Sequence, residues 1–257
     1  MSNICKVKCG DKEKSIKIQR PSWCCMEQGY NIIHQIAEKA KEQAKRDERD
    51  AIGTSKLIAE YVFEYIGGAL NEARIEAENK ALQGENVNTY RNTCATKVSF
   101  AFNNSEIKID DKDLKLTSGT KLIGKDNYKY YTGVSSIKGL LLENWKQLKP
   151  YSQANGRDFY KIFYDYRKEP FKTLADIYGN IFNPTRVAEI RRNNKNFFNA
   201  LCSLKIKGIV TMVIEGWGNA GGHTTLWNGK GFLDETNYLD YYKEAIFVRE
   251  LCFWELL

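Results

Sequence analysis

Three side chains of this chain have the types and the surroundings to cut an amide together: Cys94, His223 and Asp234. In such a set a thiolate attacks the carbonyl carbon, an imidazole moves the proton to the departing amine, and a carboxylate holds the imidazole in one tautomer. Cys94 lies in Tyr90-Arg91-Asn92-Thr93-Cys94-Ala95-Thr96-Lys97-Val98-Ser99-Phe100-Ala101-Phe102-Asn103. Asn92 suits an N-cap, and Ala95, Val98 and Phe102 recur at helical spacing, so the pattern predicts a helix with Cys94 in its first turn. The helix dipole and free N–H groups there favour an anion, and the anion of cysteine is its nucleophilic form. His223 sits in Gly221-Gly222-His223-Thr224-Thr225-Leu226-Trp227-Asn228-Gly229, which reads as a strand entered through glycines. The turn Asn228-Gly229-Lys230-Gly231 then predicts a hairpin that returns Asp234 antiparallel to His223. Taken alone, Cys94 reads equally as a buried structural thiol and His223 as a satisfied strand-entry histidine. The combination is what carries the chemistry.

The elements that must position these groups follow from hydrophobic period. Residues 1–19 alternate weakly and read as a tail with one short edge strand. Arg20-Pro21-Ser22-Trp23 breaks the pattern, and Ser22 can cap a helix from about Met26 to Arg49 with Ile32, Ile33, Ile36, Ala40 and Ala44 on one stripe. The only other histidine, His34, falls beside that stripe and reads as structural. Asp50–Thr54 reads as a break, and Leu57 to Leu70 as a second amphipathic helix containing Gly67-Gly68, where a bend or a close backbone approach is expected. Asn71–Thr89 is polar and charged. Loops and a strand near Lys129–Tyr131 follow, then a helix over Ile137–Leu148, an aromatic cluster at Phe159–Tyr166, and helical patterns at Phe171–Ile181 and Val187–Leu201. Gly208–Trp217, Gly222–Trp227 and Ala245–Leu256 read as strands. The fold class is therefore α+β: a cysteine helix packed on an antiparallel sheet, in one domain over residues 20–257 with helical insertions at about 30–60 and 150–200.

Composition bounds the partners. With 39 basic and 32 acidic residues the net charge is +7, which favours polyanions. The basic residues alternate with acids, as in Lys39–Arg49, and read as a solvated helix face, with no nucleic-acid recognition motif. No apolar run is long enough for membrane insertion, and residues 1–20 lack a leader's apolar segment, so no signal peptide is expected. Cys5, Cys9, Cys24 and Cys25 do not follow the spacing of a zinc ribbon or finger, and partial disulfide formation or buried thiols suit the seven cysteines better, with Cys94 the odd one left.

A helix cysteine, then a strand histidine, then a third polar residue beyond a hairpin is the chain order of papain-like (NlpC-type) cysteine hydrolases. Two blocks make the likeness specific. Asn92-Thr93-Cys94-Ala95-Thr96-Lys97-Val98-Ser99 and Gly216-Trp217-Gly218-Asn219-Ala220-Gly221-Gly222-His223-Thr224-Thr225-Leu226-Trp227-Asn228-Gly229 resemble the signature segments of the type VI secretion amidase effector family 4, with weaker echoes in Arg20-Pro21-Ser22-Trp23 and Ile66-Gly67-Gly68. Lys97 stands where that family commonly has arginine, and Phe232 where some members carry a cysteine near the third catalytic residue.

The resemblance implies a papain-like cysteine hydrolase fold with Cys94 as nucleophile, His223 as base and Asp234 as its orienter, and with Asn92, Trp217, Gly222 and Trp227 at the substrate. It implies an antibacterial toxin that hydrolyses peptidoglycan stem peptides, at the bond between D-glutamate and meso-diaminopimelate, in the periplasm of a rival cell. A cognate immunity protein and a type VI secretion delivery component are the implied partners. Neither metal nor organic cofactor is needed for this chemistry. The alternatives from the sequence are a housekeeping or phage-borne wall peptidase, and a catalytically idle wall-binding protein.

Overall fold

The computed structural model describes residues 4–9, 12–17, 20–145, 161–163, 192, 194–199, 201–203, 205–215, 220–240 and 247–256. The predicted helix at Phe171–Ile181, most of the one at Val187–Leu201, and Trp217 lie outside them, as does the aromatic cluster apart from residues 161–163. Where the sequence suggests one domain over 20–257, the chain divides into two compact units, Met1–Trp145 with Leu256–Leu257, and Lys146–Glu255.

The first unit opens with an antiparallel hairpin, β1 (Ile4–Cys9) and β2 (Lys12–Lys17), where the sequence suggests one short strand. Helix α1 (Trp23–Arg46) starts where Ser22 accepts the Cys25 N–H at 3.4 Å. It buries Met26, Tyr30, Ile33, Ala37, Ala40 and Ala44, a stripe at alternating steps of four and three. The Ser22 hydroxyl also donates to Glu106 at 2.6 Å, tying the α1 cap to a distant loop. Burial opposes ionisation of Glu106, but the hydrogen bonds from Ser22 and Cys25 outweigh it and hold the carboxyl below its ordinary range.

The chain does break between α1 and α2, over residues 47–50, but the Asp50 side chain accepts the Gly53 N–H at 2.7 Å and caps α2 (Ala51–Ile66), so residues 51–54 are already helical. A second break comes at Gly67 and Gly68, where the sequence suggests a bend, with φ of 68° and 66°, and α3 (Ala69–Leu82) begins beyond them. A Cβ on Gly68 would lie 2.6 Å from the Gly124 carbonyl carbon, so both conformation and backbone approach require glycine there.

Helix α4 (Cys94–Asn103) is buried along its whole length. It packs on α1, on α5 (Val134–Trp145) and on β4 (Lys129–Tyr131), which pairs with β3 (Lys121–Ile123). Ser99 and Asn103, one turn apart, stitch α4 to β4. The Ser99 hydroxyl accepts the Tyr131 N–H at 3.1 Å and donates to the Tyr131 carbonyl at 3.3 Å, while Asn103 donates to the Lys129 carbonyl at 3.0 Å. Within this unit the sheet that α4 packs on is the two-stranded β3–β4, whereas the three strands expected beneath the cysteine helix fall in the second unit.

The second unit holds a four-stranded antiparallel sheet in the order β5 (Lys161–Phe163), β8 (Phe247–Glu255), β6 (Gly208–Glu215), β7 (Gly222–Trp227). All six residues of β7 are buried, which explains why its sequence does not alternate cleanly between polar and apolar. Val210, Met212, Ile214, Trp227, Val248, Leu251 and Phe253 form its core with Leu201, Phe232 and Leu239. Among the described residues no helix is long and apolar enough to cross a membrane.

Candidate active site

Cys94 is the first residue of α4 and 4% exposed. The N-cap is Thr93, which makes no side-chain capping bond; Asn92, one residue earlier, accepts the Cys94 N–H at 3.3 Å. Asn92, expected at the substrate, therefore holds the backbone of Cys94, whose N–H it engages. Lys97 is buried one turn on, its Nζ 5.5 Å from the centre of the Tyr30 ring. Cys24, Cys25, Cys94, Cys202 and Cys252 are all free thiols, so place rather than oxidation state distinguishes Cys94. Among the described residues no group of three or more His, Cys, Asp or Glu could hold a metal ion.

His223 enters on β7 opposite Met212 of β6. The turn after β7 closes through Asn228, whose Oδ1 accepts the N–H groups of Lys230 and Gly231 at 2.9 Å, with Gly229 at φ 90°. Leu233 N–H then bonds the Leu226 carbonyl at 2.9 Å, so the chain runs back beside β7. That return sets Asp234 Oδ2 2.7 Å from His223 Nε2, with side chains 4% and 9% exposed. With a carboxylate at Nε2, the neutral ring carries its proton there, and Nδ1 is the nitrogen with a lone pair to accept one.

Of the other expected substrate residues, Gly222 and Trp227 belong to the framework. A Cβ on Gly222 would lie 2.2 Å from the Met212 carbonyl oxygen, so strand packing explains that glycine. Trp227 is wholly buried, edge-on to Phe198 and Phe232 at 5.6 and 5.0 Å, and its ring is core, not groove. Phe232, where a disulfide was a family option, supplies aromatic packing instead. His34 stacks on Tyr30 at 6.0 Å in α1.

Neither a protein-family model nor a curated protein matches the sequence. Solved structures do. The type VI effector Tae4 of Salmonella Typhimurium, in complex with Tai4, matches with a TM-score of 0.50 at 17% identity, covering 93% of this chain and 99% of that one. The chain has the fold of Tae4. Tae4 from Enterobacter cloacae, in its effector–immunity complex with Tai4, matches at 14% identity with a TM-score of 0.49, covering 93% of this chain and 99% of that chain.

Within this Tae4-like fold, two neighbours of His223 escape the sequence reading. Thr236 Oγ1 lies 3.1 Å from His223 Nε2 and donates to Asp234 Oδ1 at 2.7 Å, and the Tyr238 ring stands edge-on to the imidazole at 5.1 Å. No strand-like alternation brings them there, since Asp234 lies in a turn, Glu235 has φ 59° and Tyr238 begins a 3-10 helix, so the sequence carries no periodic signal for either.

Proposed function

We propose that the chain is an antibacterial type VI effector, a cysteine amidase of papain-like (NlpC-type) fold that hydrolyses peptidoglycan stem peptides in the periplasm of a target cell. The observation that carries this is the buried His223–Asp234 pair, joined at 2.7 Å through Nε2. It is the arrangement a base needs, and it stands in the chain order Cys94, His223, Asp234 with Cys94 at the start of a buried helix. The Tae4 fold supplies the setting, since that effector is solved with an immunity protein. A cognate immunity protein is accordingly the expected partner, and a delivery component of the secretion system the expected carrier.

In this reading His223 Nδ1 takes the Cys94 thiol proton and the sulfur attacks the amide carbonyl. The imidazolium, with an N–H on each nitrogen, passes the Nδ1 proton to the departing amine, and water then hydrolyses the thioester. The Cys94 N–H joins the oxyanion's donors as Asn92 gives it up. The bond between D-glutamate and meso-diaminopimelate is the proposed target, and no metal or organic cofactor enters the scheme.

Mass spectrometry of muropeptides from purified peptidoglycan, digested by the wild type and by Cys94→Ala, tests the proposal. New amine termini on diaminopimelate, absent with Cys94→Ala, are expected. Identical muropeptides from wild type and untreated wall would defeat it.

A further inference from the structure

Asp234 is not the only acceptor at the histidine. Thr236 Oγ1 lies 3.1 Å from His223 Nε2, and its one proton is committed to Asp234 Oδ1 at 2.7 Å. Towards the ring the hydroxyl therefore presents only lone pairs. Both of these neighbours of Nε2 accept, and the N–H there is shared between Asp234 Oδ2 and Thr236 Oγ1. The carboxylate is fixed in turn, since its other oxygen takes the Thr236 hydroxyl and, at 3.4 Å, the Thr236 N–H. Tyr238 closes the set by standing edge-on to the ring at 5.1 Å. Glu235, at φ 59°, is the left-handed residue between Asp234 and Thr236.

We propose that Thr236 is a positioning residue of the site, acting through Asp234 and His223 to hold the imidazole in its Nε2–H tautomer with Nδ1 directed to proton transfer. The step it serves is the one stated above, and this assignment rests on that reading for its kinetic consequence alone. A threonine serves where alanine or valine cannot, because donation to the carboxylate and acceptance from the ring must come from one oxygen. Serine keeps that oxygen and loses only a methyl group.

The test is Thr236→Val against Thr236→Ser, both compared with wild type. Thr236→Val is expected to lower kcat on muropeptides about tenfold, the scale of one lost hydrogen bond, with KM unchanged. Thr236→Ser should return kcat to within about twofold of wild type, by the same hydrogen-bond count. Nitrogen-15 NMR of the imidazole supplies the readout that a merely structural role would not move. The chain has two histidines, so His34→Gln in every background leaves His223 as the single imidazole. The neutral ring should be Nε2–H in wild type and in Thr236→Ser, with Nδ1–H appearing in Thr236→Val as the carboxylate, its Oδ1 no longer held by the hydroxyl, turns from Nε2. A Thr236→Val ring that stays wholly Nε2–H overturns the assignment, whether or not kcat and thermal midpoint fall. Should the wild type release no muropeptide product, the hydrolase reading fails by itself, and the tautomer measurement still decides what Thr236 does.

Discussion

Each oxygen of the Asp234 carboxylate has its own partner: Oδ2 faces His223 Nε2 at 2.7 Å and Oδ1 takes the Thr236 hydroxyl at 2.7 Å. A buried anion so placed stabilises the imidazolium and dictates which nitrogen keeps the proton. An asparagine there has the same shape but offers an amide group in place of one oxygen. The amide N–H turned to Nε2 would demand the opposite tautomer. Asp234→Asn is therefore expected to lower kcat by up to about ten-thousand-fold, as in other triads, with little change in KM. Progress curves on purified muropeptides check it, and a loss confined to KM would show that Asp234 binds substrate and does not orient the base. The same scale shows where side-chain identity misleads. The resemblance puts Trp227 and Gly222 at the substrate, yet packing accounts for both. Asn92, expected as the N-cap, is not one: Thr93 holds that position, and Asn92 accepts the Cys94 N–H from one residue earlier.

At the level of elements, α4 owes its place to two polar side chains. Ser99 satisfies both the N–H and the carbonyl of Tyr131, and it is fully buried. Ser99→Ala leaves a buried N–H of β4 without that partner, at a cost of about 1–3 kcal/mol. Thermal unfolding followed by circular dichroism should show a midpoint lowered by about 2–4 °C for each of those kcal/mol in a protein of this size. An unchanged midpoint would mean that Ser99 does not help to hold α4. Elements with a strong apolar period were legible from the sequence. Helix α1 shows its Ser22 cap and, of its expected stripe, buries Ile33, Ala40 and Ala44 while Ile32 is exposed; β6 and β7 announce themselves by β-branched runs between glycines, and β8 by its alternation. Helix α3 was not legible, because the side it buries consists of Leu70, Arg74 and Ala77, and a buried arginine and an alanine leave no apolar period to see. Arg74 is tolerated there because Glu78 and Asn71 take its guanidinium at 2.9 and 3.1 Å. The junction at Gly67-Gly68 was visible as two glycines, but their partner, Gly124, comes from a hairpin far along the chain. The hairpin after β7 was legible because its turn chemistry is local.

For the whole molecule, the net charge of +7 and the proposed chemistry lead to the same kind of target. Peptidoglycan stem peptides carry carboxylates, so a basic protein is drawn to the wall by long-range attraction that salt screens. A hydrolase of stem peptides lyses a cell by cutting the cross-linked wall, which lies outside the inner membrane. A toxin with a cytoplasmic target would instead be most harmful where it is made. Expression in a Gram-negative host with an appended export signal should therefore lyse cells, while expression without the signal should leave growth unchanged. Cys94→Ala with the same signal, at equal protein level, should restore growth. Optical density and microscopy after induction read the outcome. Equal toxicity with and without the signal would remove the wall as the target, and lysis by exported Cys94→Ala would remove catalysis as its cause.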